Sequence, residues 1–267
     1  MTVMLLVTLA TVRLAEAGGA VNIDSCQTLG KPNTTYRLIA DLTSDGDCLV
    51  VTANRVTIDL QGHSITGTGQ IPSSAITDIV NQPNDVIVIK NGTVSGYGDG
   101  IGLRSNRVTV IAVTSTNNVG AGIAIISGGQ HLVKSSTASS NGGAGIFLPG
   151  DRSQVEQSIA NNNTVGGIWM GPNCLVTMST ANGNGPDGAG ITTSGRCTVS
   201  YNTANDNQAS GIVAFGSANL VTRNTAMNNG THDFVADCPS DVTFNTSSAG
   251  PTSYDLLSPG CHAVGNQ

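Results

Sequence analysis

Asn141-Gly142-Gly143-Ala144-Gly145-Ile146-Phe147-Leu148 is answered 22 residues later by Asn163-Thr164-Val165-Gly166-Gly167-Ile168-Trp169-Met170. The same step recurs as Gly100-Ile101, Gly122-Ile123, Gly145-Ile146, Gly167-Ile168, Gly190-Ile191, Gly211-Ile212 and Asp233-Phe234, at spacings of 22, 23, 22, 23, 21 and 22. A nearly fixed period of this length marks stacked structural repeats. Aligned on the Asn of each repeat (Asn118, Asn141, Asn163, Asn184, Asn207, Asn229), the residue eight positions upstream is Val110, Val133, Val155, Val176, Val199 and Val221. Three positions upstream stand Ser115, Ala138, Ala160, Ala181, Ala204 and Ala226, small enough for an interior corner. Two residues after each Ile comes a second small or apolar column, Leu103, Ile125, Leu148, Met170, Thr193 and Ala214. Side chains two apart on one face follow the strand period, not the helical one.

Each repeat is therefore read as two or three short strands joined by Gly/Asn turns. Stacked head to tail, such units form parallel sheets, and parallel crossovers are right-handed. The expectation is an all-β, single-domain right-handed parallel β-helix of about ten rungs, each adding about 4.8 Å. Longer early rungs place Val56-Thr57-Ile58-Asp59-Leu60 and Val86-Ile87-Val88-Ile89 in strands, with Leu49 and Ile76 in the Ile column and Asp255-Leu256 closing it. The Asn column is read as scaffold: Asn tolerates left-handed turns, and stacked amides can hydrogen-bond along the axis.

Composition agrees: 34 Gly, 10% charged and 3% aromatic residues suit turn-rich β-structure. A net charge of −6 with 11 Lys+Arg argues against a nucleic-acid partner. No stretch reads as a transmembrane span. Met4 to Val12 is a short apolar run, and Ala15-Glu16-Ala17 has the small-x-small form of a signal-peptidase site. Residues 1–17 are read as an export signal lacking a basic start and 18–267 as the β-helix domain, the alternative being a buried first strand. Cys26 and Cys48 are 22 apart, and Cys174 and Cys197, like Cys238 and Cys261, are 23 apart. Partners one rung apart fall within disulfide reach. Three disulfides fit a secreted or periplasmic protein; a ladder of reduced, buried thiols is the alternative.

The run Val56-Thr57-Ile58-Asp59-Leu60-Gln61-Gly62-His63-Ser64-Ile65-Thr66-Gly67, followed by the Gly-Ile rungs, resembles the right-handed parallel β-helix proteins of the pectin-lyase-like superfamily. It looks most like the exported bacterial group that includes NosD-like periplasmic proteins, over about residues 24 to 262. The resemblance implies the fold and leaves the activity open, since that superfamily holds lyases, hydrolases, epimerases and non-enzymes. The Gly-His-Gly of polygalacturonases is approached only by Gly62-His63-Ser64, and the Arg-x-Pro-x-x-Arg of pectate lyases and the Asp-Pro-His of alginate epimerases do not occur. His63 reads as a turn residue, with a catalytic role beside Asp59 as the alternative. The copper handling implied by the NosD-like resemblance finds no clustered His or Met, and neither metal nor cofactor is expected.

Candidate sites then lie in outward columns. Eleven residues before each Asn stand Arg107, Gln130, Arg152, Asn173, Arg196 and Ala218, placing an Arg on every second rung. With Lys134 and Glu156 nearby, this row suggests a track for an acidic polysaccharide, since Arg pairs well with carboxylate or sulfate. A plain solvated face with a Lys134–Glu156 ion pair is the alternative. Were the track catalytic, Lys134 or His131 would be the base, Glu156 its partner, Arg107 and Arg152 the clamp, and Tyr201 beside Arg223 a second acid/base. On the sheet of the Ile column, Ala124, Phe147, Trp169, Thr192, Val213 and Val235 face outward. Phe147 and Trp169 could stack sugar rings, or the segment Pro251 to Pro259 or a second copy could cover the strip. Threonines 114, 137, 180, 203 and 225 form a row that leaves ice binding as a remote third reading, and Gly185-Pro186 adds a small two-residue bump. The function expected is an exported β-helix contacting a polysaccharide, as binder or lyase-type enzyme; a structural or surface-interaction solenoid is the alternative.

Overall fold

The computed structural model describes residues 19–69, 73–78, 85–248, 253–257 and 259–267. The expected export signal, residues 1–17, lies outside them. Every regular element in the described residues is a β-strand, and each pairs in parallel with its counterpart one rung away. The first sheet, of 15 strands, carries the Val column, from Val110↔Val133 through Val199↔Val221. The second, of 11 strands, carries the Ile column, from Leu49↔Ile76 and Ile101↔Ile123 to Ile212↔Phe234. A third side is marked by single bridges, Thr137↔Ile159, Ile159↔Thr180, Thr180↔Thr203 and Thr203↔Thr225. The expected right-handed parallel β-helix with a period near 22 is the fold. In its last turn Phe234 pairs with Tyr254, their rings stacked at 5.1 Å, so Tyr254 and not Leu256 closes the Ile column.

Three sides require three corners, and each is built the same way. One residue takes the left-handed conformation and the next turns a polar or small side chain inward. At one corner Asn117, Ser140, Asn162, Gly183, Asp206 and Asn228 have positive φ and precede Asn118, Asn141, Asn163, Asn184, Asn207 and Asn229. The ladder Asn is thus not the left-handed residue, as expected from sequence, but its successor. From Asn141 to Asn229 each Oδ1 accepts both the backbone N–H and the side-chain N–H of the Asn one rung before, as in Asn184 to Asn207 at 3.0 and 2.9 Å, while Asn118 Oδ1 accepts the backbone N–H of Tyr97. The ladder ends on Asp233 Oδ1, 2.9 Å from Asn229 Nδ2.

The other two corners repeat the device with other residues. Ser136, Ser158, Ser179, Asn202, Asn224 and Asn245 accept the preceding rung's backbone N–H at the second. His131, Ser153, Cys197, Asn219 and Ser240 do so at the third. These ladders satisfy N–H groups that the turns would otherwise bury without partners, a loss of about 1–3 kcal/mol each. Between them the Val, Ile and Ala columns fill the interior and are almost wholly buried.

All three expected disulfides are present, with Cα–Cα distances of 4.4 Å (Cys26–Cys48), 4.5 Å (Cys174–Cys197) and 4.9 Å (Cys238–Cys261). No cysteine is free, which sets aside the thiol ladder. Among the described residues no helix is long and apolar enough to cross a membrane.

Candidate functional site

The corner geometry decides where the sequence-selected residues point. Arg107, Gln130, Arg152, Asn173, Arg196 and Ala218 all have positive φ. They are corner residues, not a row on the flat face of the first sheet. Two of the arginines are already paired: Arg107 forks onto both oxygens of Asp85, its Nε 2.8 Å from Oδ1, and Arg152 Nε lies 2.9 Å from Asp151 Oδ2. The Arg107 hydrogen bond and charge hold the Asp85 carboxyl below its ordinary range, against a small desolvation. These groups line a shallow polar hollow of about 410 Å³.

Lys134 and Glu156 form the anticipated ion pair at 2.9 Å on the first sheet. Tyr201 and Arg223 meet at the second corner, where the guanidinium donates to the phenol oxygen and lies 5.5 Å from the ring centroid. His131 corrects the expectation. It is 1% exposed, a member of the third corner ladder facing inward, and burial pushes its pKa down to about 4. Its outward neighbour Gln130 took the left-handed turn, so the strand alternation that put His131 beside Lys134 on the surface does not hold there. His63 likewise pairs with Asp41, at 3.2 Å, while Asp59 pairs with Lys90, at 3.1 Å. The Thr row stands on the third side, interrupted by Ile159, and the row beside it is tied up along the axis. Asn161 and Asn182 each accept the next rung's backbone N–H, at 2.8 Å.

The outer face of the second sheet is different in kind. Register places Thr77, Gly102, Ala124, Phe147, Trp169, Thr192 and Val213 in one outward column. Phe147 and Trp169 stack with centroids 4.3 Å apart and planes at 21°, leaving Trp169 38% exposed. Beside them lies a mostly apolar cavity of about 490 Å³ whose lining includes Val165, Asp187, Ala189, Val213 and Phe215. Walls on both sides explain why Val213 is only 7% exposed although its side chain faces out.

One wall is the loop that the sequence presented as a bump. Gly185 packs so closely on the preceding rung that a Cβ there would sit 1.8 Å from Thr164 O, and this presses Asp187 and Gly188 against the groove. Phe215, two residues after Val213 on the same outward face, forms part of the lining and also went unread in the sequence. Tyr254–Leu256 extends the second sheet by pairing with Phe234–Ala236, so the described part of the C-terminal segment does not cover the strip. Residues 251, 252 and 258 of that segment lie outside the described residues.

Toward the N-terminus the column shrinks to Ala124, Gly102 and Thr77, and the face deepens into a second hollow of about 650 Å³. Its lining includes Asp47, Asp78, Asp99 and Arg104. Among the described residues no three His, Cys, Asp or Glu gather closely enough to hold a metal ion.

A long parallel coil with a groove down one sheet is the architecture of a right-handed β-helix protein. The family model of the right-handed beta helix region matches residues 50–195 and again 99–249, and the chain belongs to that family. No curated protein matches the sequence. Among solved structures, the A-module of the mannuronan C-5 epimerase AlgE6 from Azotobacter vinelandii aligns over 93% of this chain and 90% of its own, at 13% identity and a TM-score of 0.64. The periplasmic alginate epimerase AlgG aligns over 93% and 76%, at 13% identity and a TM-score of 0.64. An α-1,3-glucanase catalytic unit from Streptomyces thermodiastaticus aligns over 94% and 62%, at 12% identity and a TM-score of 0.60. At such identities the likeness establishes the fold alone.

Proposed function

We propose that this is an exported protein that binds a polysaccharide chain along the outer face of its second sheet. The observation that carries this reading is the Phe147–Trp169 stack, exposed in a walled groove on a rigid scaffold. Exposed aromatic surface of this kind marks contact sites, and the edges and free outer face of the stacked pair can pack against a pyranose ring of an extended chain. The folds it resembles include an alginate epimerase and an α-1,3-glucanase. Three disulfides favour an oxidising compartment.

Binding is preferred over lyase chemistry for a geometric reason. Proton abstraction next to a uronate carboxylate needs a free base and a free positive group at one place. Lys134 is paired with Glu156, Arg107 and Arg152 with aspartates, His131 is buried, and Tyr201 stands at a corner with Arg223. None of them lines the aromatic groove.

The test is isothermal titration of the wild type, Phe147→Ala and Trp169→Ala with soluble polysaccharides, alongside ultraviolet assay for unsaturated uronate. Binding lost in both variants, without new absorbance, is expected. Binding unaffected by either variant refutes the site. Uronate unsaturation that persists in both variants and disappears in Lys134→Ala restores the lyase-type reading on the first sheet.

A further inference from the structure

The groove's charge points to a class of ligand. We infer that the glycan carried by this groove bears ammonium groups, as in a de-N-acetylated amino-sugar polymer, and is not a polyuronate; this rests on the reading that the groove binds glycan. Along the face the ionisable lining is Asp47, Asp78 and Asp99 with Arg104 in the deep hollow, and Asp187 beside the aromatic stack. Four carboxylates face one cation, on a chain whose net charge is −6.

Their bonding leaves negative charge turned to the groove. Asp47 Oδ1 accepts the Ser74 backbone N–H at 2.7 Å, and Asp99 Oδ1 accepts that of Ala121 at 2.7 Å. Neither aspartate makes an ion pair among the described residues, so Oδ2 of each carboxylate has no cation beside it. Asp99 Oδ2 lies over Gly102, 3.7 Å from where a Cβ would stand, so the missing side chain keeps it open to the hollow. Asp78 is the independent mark. It is 4% exposed, its Oδ2 accepts from Arg104 N at 2.8 Å and the Ser105 hydroxyl at 2.5 Å, and its Oδ1 is buried with no partner. A buried carboxylate oxygen left unanswered beneath the hollow favours a cation arriving there. The carboxylates are spread over several rungs and do not converge on a metal-sized point, which suits charges repeated along a chain. A polyuronate would face repulsion there, and Arg107 and Arg152, at the corner between the two sheets, line neither hollow of this face and are paired to Asp85 and Asp151.

The experiment compares a glucosamine hexamer, an N-acetylglucosamine hexamer and an oligogalacturonate by isothermal titration at a pH where the amine is protonated. The expected result is binding of the glucosamine hexamer about tenfold tighter than its acetylated counterpart, falling toward it as salt is raised. Asp47→Asn/Asp99→Asn, which keeps the side-chain acceptors for Ser74 and Ala121, should erase the preference for the glucosamine hexamer over the acetylated one. Trp169→Ala should weaken both. Tighter binding of the oligogalacturonate, lost in Trp169→Ala, overturns the charge inference and leaves the aromatic site standing. Equal affinity for both hexamers also overturns it. Failure of all three to bind overturns the inference together with the glycan reading.

Discussion

Acidification from pH 7 to pH 4 should destabilise the fold through one histidine. His131 is 1% exposed and takes its place in a corner ladder. Its Nδ1 accepts the Val108 backbone N–H at 3.3 Å, which leaves the proton on Nε2, 3.1 Å from the Ser127 carbonyl oxygen. The neutral ring fits this site; the charged ring would lose its acceptor and its water at once. Burial therefore depresses the pKa to about 4, against about 6.5 in the unfolded chain. Between those values the unfolded state binds more protons, so the stabilisation is complete above about pH 6.5 and is lost as pH falls toward 4. The gap corresponds to about 3 kcal/mol. Asp41, Asp59 and Asp85 have pKa values held below 3.8, so their own losses come at lower pH. Urea unfolding of the wild type and His131→Asn at several pH values separates the contributions. Asn is a fair replacement because Asn219, in the same column, accepts the Cys197 N–H at 3.0 Å. The wild type should lose about 3 kcal/mol more than the variant over this range. Equal pH slopes would refute the buried, neutral assignment.

Other substitutions probe the scaffold and the discarded sites. Asn207→Ala removes an acceptor of two N–H groups from Asn184 and should cost about 2–4 kcal/mol in chemical denaturation, far more than Asn205→Ala in the outer row. Cys174→Ser/Cys197→Ser opens a loop of 23 residues and should lower stability by about 3 kcal/mol without changing the circular dichroism of the native state. Gly185→Ala forces the loop off Thr164 O and should weaken glycan binding more than it lowers Tm; the reverse ordering would mean that this loop does not shape the groove. Arg152→Ala, at a corner, and Lys134→Ala, on the first sheet, should each leave glycan affinity within about twofold, as expected for exposed pairs outside the groove.

The period alone carried the fold, because a stacked rung repeats its core positions: the Val and Ile columns align in the structure as they do in the sequence. Direction at the corners was not legible. Strand alternation predicts in and out only while the backbone stays extended, and one left-handed residue resets it. That is why Arg107 and Arg152 sit on a turn, and why His131 points inward. Residue type hid two of the three ladders, since Ser, Cys, His and Asn all supply one acceptor at the same spot. The aromatic stack was readable because Phe147 and Trp169 fall in adjacent rungs of one column. The groove around it was not, because its walls, Asp187 and Phe215, come from a loop and from a strand end in other rungs. The acidic hollow was missed for the same reason: Asp47, Asp78 and Asp99 lie in the long early rungs, where the period is irregular.

The central claim is that glycan lies on the Phe147–Trp169 shelf, and the chain holds 1 Trp. Steady-state fluorescence of Trp169 during titration with the glucosamine hexamer reads that shelf without a label. A saturable change in emission, with the same dissociation constant as calorimetry, is the predicted result. Calorimetric binding that leaves the emission unchanged would place the glycan elsewhere on the molecule and contradict the account.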